Sequence, residues 1–165
     1  MGTKRIVWLV LAGIVVLGAL ATQRAKTFHV ETMIPAPPSA IWAVLTDTSA
    51  YKDWNPVFVE VEGQYTTGAR VKNLVREPDG GTLEIEAKVV KLEPERELRQ
   101  RGGVPGLLTF EHQWLLVPVE GGTQVIQHEV DRGLWLWFWD SSWIEPSYRK
   151  ASEALGDRVM AGAQE

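Results

Sequence analysis

The hydrophobic pattern of this chain changes period several times. Residues 6–22, IVWLVLAGIVVLGALAT, carry no charge and are apolar on every side. From Thr27 to Ile34 the pattern alternates: Phe28, Val30, Thr32 and Ile34 share one face, His29, Glu31 and Met33 the other. A period of two marks a half-buried strand. Pro35, Pro37 and Pro38 end it, and Ile41, Val44 and Leu45 at helical spacing predict a short helix from Ser39 to Thr46, with a second over Thr48–Trp54. The period then returns to two. Strands are expected from Val57, over Gly68–Arg76, around Leu83–Val89, over Glu97–Arg101, over Leu107–Val117 and over Thr123–Asp131. The turns between them are Pro78–Gly81, Pro94–Glu95, a Gly/Pro loop at Gly102–Gly106, and Glu120–Gly122. Tyr148, Ala151, Leu155 and Val159 form a helical stripe, so a long helix closes the chain, with a break expected between Asp140 and Pro146.

One strand, two short helices, six strands and a long helix make an α+β order, an antiparallel meander with its helices at the two ends. The organisation expected is an N-terminal anchor with its flanks over 1–26, one domain over 27–161 and a tail at 162–165. At 165 residues the chain is long enough for a real core, and it contains no cysteine. That excludes a disulfide framework, a thiolate nucleophile and an Fe–S cluster.

Residues 6–22 would span about 26 Å as a helix, short but adequate against a hydrocarbon core of roughly 30 Å. Lys4, Arg5, Arg24 and Lys26 flank the segment. A single-pass transmembrane anchor in a lipid bilayer is expected. The competing reading is export after signal-peptide cleavage near Ala21, which the basic residues just past that point disfavour. Apart from those four basic residues, the chain holds 13 basic against 21 acidic side chains, a net charge of −8. So acidic a domain repels phosphate backbones, and nucleic acid is not expected as a partner.

Three stretches together resemble the START-like superfamily, also called SRPBCC or Bet v 1-like, and within it the polyketide cyclase/dehydrase and lipid transport group. They are IPAPPSAIWAVLTDTSAYKDWNP (34–56), VVKLEPERELRQR (89–101) and FEHQWLLVPVEGGTQV (110–125). The resemblance runs from about Phe28 to Val159. It implies a helix-grip fold, with a curved seven-stranded antiparallel sheet around the long C-terminal helix and a cavity between them. It leaves function open, because the fold hosts carriers, sensors and enzymes.

His112 alternates with Phe110, Trp114 and Leu116 on an apolar strand face. It is either an acid/base group or a cavity-wall histidine bonded to a neighbour. In the last strand Val125, Gln127, Glu129 and Asp131 share a face, which the family pattern turns towards the cavity. Gln127 and Glu129 are then polar fixtures for a ligand, or an acid/base pair with His112 as catalytic candidates, Glu129 having a raised pKa if buried and unpaired; the alternative is that Glu129 pairs with an arginine such as Arg99 or is simply solvated. GLWLWFWDSSW (133–143) holds four of the eight tryptophans. On a helix, Trp135, Trp139 and Trp143 share a face. Trp135 and Trp139 are expected as lid or wall and Trp137 partly exposed, while packing only against Trp42 or Trp54 is the plainer alternative. The expected ligand-binding set is Trp42, Trp54, Phe110, His112, Trp114, Gln127, Glu129, Trp135 and Trp139. His29, His112 and His128 lie on separate strands without ligand spacing, so no metal and no cofactor are expected. The function expected is a membrane-tethered domain that binds or transports a small hydrophobic ligand (lipid, quinone, polyketide or other aromatic). The alternative is a cofactor-free cyclase or dehydratase.

Overall fold

The computed structural model describes residues 2–21 and 24–163. The chain runs α1 (Gly2–Ala21), β1 (Arg24–Ile34), α2 (Pro38–Thr46), a 3-10 turn (Thr48–Ala50), α3 (Tyr51–Trp54), β2 (Phe58–Glu62), β3 (Arg70–Arg76), β4 (Thr82–Glu93), β5 (Glu97–Val104), β6 (Leu108–Val119), β7 (Gly122–Gly133), a second 3-10 turn (Leu134–Trp137) and α4 (Ile144–Gly162). The strands form one antiparallel sheet in the order β1-β7-β6-β5-β4-β3-β2. Only the first and last strands are out of sequence order as neighbours, and their pairing runs unbroken from Arg24↔Gly133 to Ile34↔Thr123. The sheet is curved and α4 lies against its concave side, packing on β1 and α2. This is the helix-grip arrangement.

The apolar stripe of α4 explains the grip. Ala151, Leu155 and Val159 are buried in one cluster with Ile34, Ile41, Leu45, Leu116 and Val125, and Tyr148 is buried in a second with Phe28, Val30 and Ile144. Burying each of the larger side chains is worth roughly 2 kcal/mol. Gly156 lets the helix approach: a Cβ there would stand 3.4 Å from Cγ1 of Ile34. Pro38 occupies the first helical position of α2, where its missing N–H costs nothing.

Four expectations are corrected. The Gly/Pro loop at Gly102–Gly106 is mostly strand, because Gly102 and Gly103 stay in register with Phe110 and Thr109. Glycine is needed there: Gly103 has φ +93°, and a Cβ on Gly102 would fall 2.5 Å from the Phe110 ring. The tryptophan-rich stretch is not a helix. A single 3-10 turn covers Leu134–Trp137, and α4 begins only at Ile144, which places Pro146 in its first turn, where a proline is tolerated. The domain's first strand starts at Arg24 rather than Thr27, so Arg24 and Lys26 belong to the sheet.

The fourth concerns the anchor. Residues 2–21 are helical, but Lys4 and Arg5 lie inside that helix and residue 22 lies outside the described residues. The charge-free run within the helix is then 6–21, about 24 Å at the standard rise, against a hydrocarbon core of roughly 30 Å. Among the described residues no helix is long and apolar enough to cross a membrane.

Candidate functional site

Between the sheet and α4 lies a cavity of about 690 Å³, within the range of small-molecule sites. Its floor follows from strand register. On β6 the inward residues are Phe110, His112 and Trp114, and on β7 they are Asp131, Glu129 and Gln127, directly opposite in that order. β1 extends the rows with Lys26, Phe28 and Val30, and β5 with Gly102, Gln100 and Leu98. The period of two thus turns a line of alternating residues in each strand into one mixed polar and aromatic surface.

Of the expected ligand-binding residues, Phe110, His112, Trp114, Glu129, Trp135 and Trp139 line the cavity. Gln127, Trp42 and Trp54 do not. Gln127 is fully buried beneath the wall as a clamp. Its amide nitrogen donates to the Tyr148 carbonyl (2.7 Å) and to Ser152 Oγ (2.8 Å), joining β7 to α4. Since the Tyr148 carbonyl can only accept, the amide orientation is fixed, and its Oε1 faces His112 Nε2 at 3.2 Å. His112 therefore donates from Nε2. Burial pushes its pKa down to about 4, only partly offset by the Gln127 hydrogen bond. Trp42 and Trp54 pack against the main core instead, with Trp54 5.0 Å from the Tyr51 ring centre.

The aromatic wall includes residues outside the expected ligand-binding set. Phe58, Trp143 and Tyr148 line the cavity, with Tyr148 5.0 Å and Phe58 6.0 Å from the His112 ring. Trp139 and Trp143 meet edge to face at 6.2 Å. Tyr148 was legible as part of the buried stripe of α4, which must face the sheet. Trp143 was not, because its placement follows from the irregular 138–143 segment. A second polar group on the wall comprises Tyr51, Tyr65, Asn73 and Gln100. There Tyr51 Oη donates to the Leu45 carbonyl (2.8 Å), and burial pushes the Tyr65 phenol up to about 12.

Glu129 and Asp131 form the chemical focus. Glu129 is not paired with Arg99, which reaches outward to Glu97 and Glu111. Burial, reinforced by the nearby Asp131, raises Glu129 to about 8, against which a hydrogen bond with Tyr148 works. Burial also raises Asp131, to about 6, with its bond to Glu129 and the charge of Lys26 limiting the rise. At neutral pH the pair holds one proton and one negative charge. Burial and Glu129 together push the Tyr148 phenol well above its usual value.

The rim is apolar and exposed. Trp135, Trp137 and Phe138 stand beside Val104 and Leu107 of the β5–β6 turn, all exposed. Backbone bonds from Leu134 N to Gly106 O (3.2 Å) and Trp135 N to Leu107 O (2.9 Å) hold the two segments together. Arg24 at the start of β1 lies 3.6 Å over the Trp137 ring, a cation–π contact.

A curved seven-stranded sheet gripping one long helix over an internal cavity defines the START-like, SRPBCC class. The chain belongs to the polyketide cyclase / dehydrase and lipid transport family, whose pattern it matches over residues 25–159. Solved structures agree on the fold. A protein of unknown function from Staphylococcus aureus (SA2116) superposes with a TM-score of 0.70 at 12% identity, covering 88% of this chain and 99% of its own. A Rhodobacter sphaeroides protein gives 0.66 at 21% identity, with 87% and 99% covered. An AHSA1-like protein from Aeromonas hydrophila gives 0.63 at 14%, with 85% and 96% covered. No curated protein matches the sequence.

Proposed function

We propose that this domain takes up a small hydrophobic ligand (lipid, quinone, polyketide or other aromatic) in the cavity, to hold or carry it. One observation carries the reading: about 690 Å³ of space walled by Phe58, Phe110, Trp114, Trp139 and Trp143, with polar groups at two places on the wall and charged side chains such as Arg70, Lys88 and Arg101 also among its lining. Aromatic walls offer large apolar area at low entropic cost, and a small polar cluster orients the guest. The family's description, which includes lipid transport, supports it.

The test is a titration of the full chain with Nile red, a neutral apolar fluorophore, alongside Ile85→Trp, which fills the cavity from β4. The expected result is saturable binding that the filling variant weakens at least about tenfold, or 1.4 kcal/mol. Binding unchanged in the variant would place the dye on the outer surface or on α1 and remove the basis of the proposal.

We also propose that residues 6–22 tether the domain to a lipid bilayer. A charge-free run of about 24 Å suits a thin or locally thinned bilayer, with Lys4 and Arg5 snorkelling to the head groups. The exposed rim supports this reading, since Arg24 at the start of β1 lies over the Trp137 ring and indoles favour the membrane interface. Flotation of the full chain with liposomes, lost in Leu11→Lys/Val15→Lys, is the expected result. A mature N-terminus near residue 22 would instead establish export after cleavage.

A second reading is favoured by one observation: Glu129 is protonated at neutral pH, opposite His112 in the same cavity. As a cyclase or dehydratase, the protein would use Glu129 as general acid. His112, already donating to Gln127 and with a depressed pKa, would be a weak base.

A further inference from the structure

Two loops meet at the rim of the cavity, and neither carries a charge. Residues 102–110, GGVPGLLTF, make the β5–β6 turn, and residues 133–139, GLWLWFW, follow β7. Val104, Leu107, Trp135, Trp137 and Phe138 stand out from them, from 49% exposed at Trp135 to 82% at Phe138. The exposure is built in and is not that of a loose end. Leu134 N and Trp135 N bond the facing loop, and Phe138 N and Trp139 N both donate to the Trp135 carbonyl at 3.0 Å. Holding so much apolar surface in water is unfavourable, and a fixed patch of this kind marks a surface that meets an apolar partner. The patch also borders the ligand space, since Val104 and Trp135 line the cavity as well as the rim.

Resting on the reading of the cavity as a ligand site, we infer that the rim is the cavity's port onto a bilayer: it enters the interfacial zone of a membrane, so that a guest passes from lipid to cavity without crossing water. Three observations favour a bilayer over a protein partner. The apolar helix α1 ends at Ala21 and β1 starts at Arg24, whose guanidinium lies 3.6 Å over the Trp137 ring, so the segment proposed as a tether joins the domain at this rim. Trp135 and Trp137 are half-exposed, and indoles suit the head-group zone, where one edge is wet and the face is apolar. The two loops also lack the charged side chains with which protein partners fix their register. Apolar contact therefore drives the docking. Beyond the N-terminal segment the chain holds 21 acidic against 13 basic side chains, so a zwitterionic surface suits the domain better than an anionic one.

The chain has no cysteine, so Phe138→Cys can carry a single nitrobenzoxadiazole label on the rim. Val119→Cys, an exposed apolar position at the other end of β6, carries the control label. With the full chain on phosphatidylcholine vesicles, aqueous dithionite is expected to reduce the rim label at least about tenfold more slowly than the control. A second readout loads the vesicles with Nile red beside a lipid-bound quencher, so that fluorescence recovers as dye moves into the protein. Trp137→Ser/Phe138→Ser is expected to slow that recovery at least about tenfold while the affinity for Nile red added from water is unchanged, a split that damage to the cavity would not produce. A rim label as open as the control, or a recovery rate that the double change leaves alone, overturns the port and leaves the cavity standing. A blue shift of the rim label that grows with protein concentration without vesicles assigns the rim to a second copy of the chain and overturns the port as well. If the wild type and Ile85→Trp bind Nile red from water alike, the cavity reading falls and the port with it.

Discussion

Glu97 and Glu129 are the same residue at nearly the same exposure, 5% and 7%, on two strands of one sheet. Their environments are opposite. Glu97 sits on the outer face of β5, where Lys91 Nζ and Arg99 Nε each donate to it at 2.7 Å. Burial would push it up, but those hydrogen bonds and charges outweigh burial and hold it below its usual range. Arg99 and Arg101 both reach Glu111, so the outer face is a ladder of mutually satisfied charges. Glu129 faces inward, has a second carboxyl beside it and no cation bonded to it, and is pushed up to about 8. The outer carboxylate is explained by the fold alone. The inner one stands beside Asp131, whose Oδ1 is buried without a hydrogen-bond partner, so burial marks a candidate site only when partners are missing.

The comparison can be broken most severely at its pin. Gln127→Ala removes the clamp between β7 and α4 and strips His112 of its acceptor; thermal or urea unfolding is expected to show a loss of about 3 kcal/mol. A loss below 1 kcal/mol would mean that the clamp does not hold the cavity's polar wall in place.

The next effect is a pH dependence with a definite sign. Between its ordinary value of 4.5 and about 8, native Glu129 keeps a proton that the unfolded chain has released. Its contribution to stability is full below about 4.5 and is lost as pH rises through 8, at no more than about 1.4 kcal/mol per pH unit. Asp131 acts in the same direction up to about 6. His112 acts in the opposite one: its contribution is present above 6.5 and lost as pH falls towards 4. Above pH 6.5 Glu129 sets the slope, so stability is expected to fall by about 2 kcal/mol between pH 6.5 and 8, and Glu129→Gln to flatten it. A wild-type slope of zero across that range contradicts the raised pKa.

Glu97→Gln is the matched change on the outer face. It leaves Lys91 and Arg99, each about one-third exposed, without their shared anion. Solvent screening limits the expected loss to about 1–2 kcal/mol, reduced by added salt. Glu129→Gln has no such salt dependence. Smallest of all is Phe138→Ser at the rim. Phe138 is 82% exposed, so stability should change by less than about 0.5 kcal/mol. A larger loss would mean that Phe138 is packed rather than exposed.

The sheet and the closing helix were legible because their residues obey one period over long runs. Leu83–Val89 and Tyr148–Val159 leave no choice of face, and register follows from which face is buried. The inward face of β7 was read through the family pattern, and Glu129 and Asp131 line the cavity. The placement of Gln127 was not legible: whether a polar side chain reaches the cavity or ends in a clamp depends on Tyr148 and Ser152, twenty or more residues away. Trp42 and Trp54 could not be separated from Trp114 and Trp139 by type, since an indole suits a core as well as a wall. The 134–143 segment defeated helical spacing because Gly133, at φ +152° with Leu107 O where a Cβ would stand, starts the chain on a turn packed against the β5–β6 hairpin.

The most direct test is a 13C NMR titration of the glutamate side-chain carboxyls in the full chain. Glu97 should titrate below its ordinary 4.5 and Glu129 near 8. If both carboxyls titrate together near 4.5, the inner face holds no buried acid and the account of the cavity as a site fails.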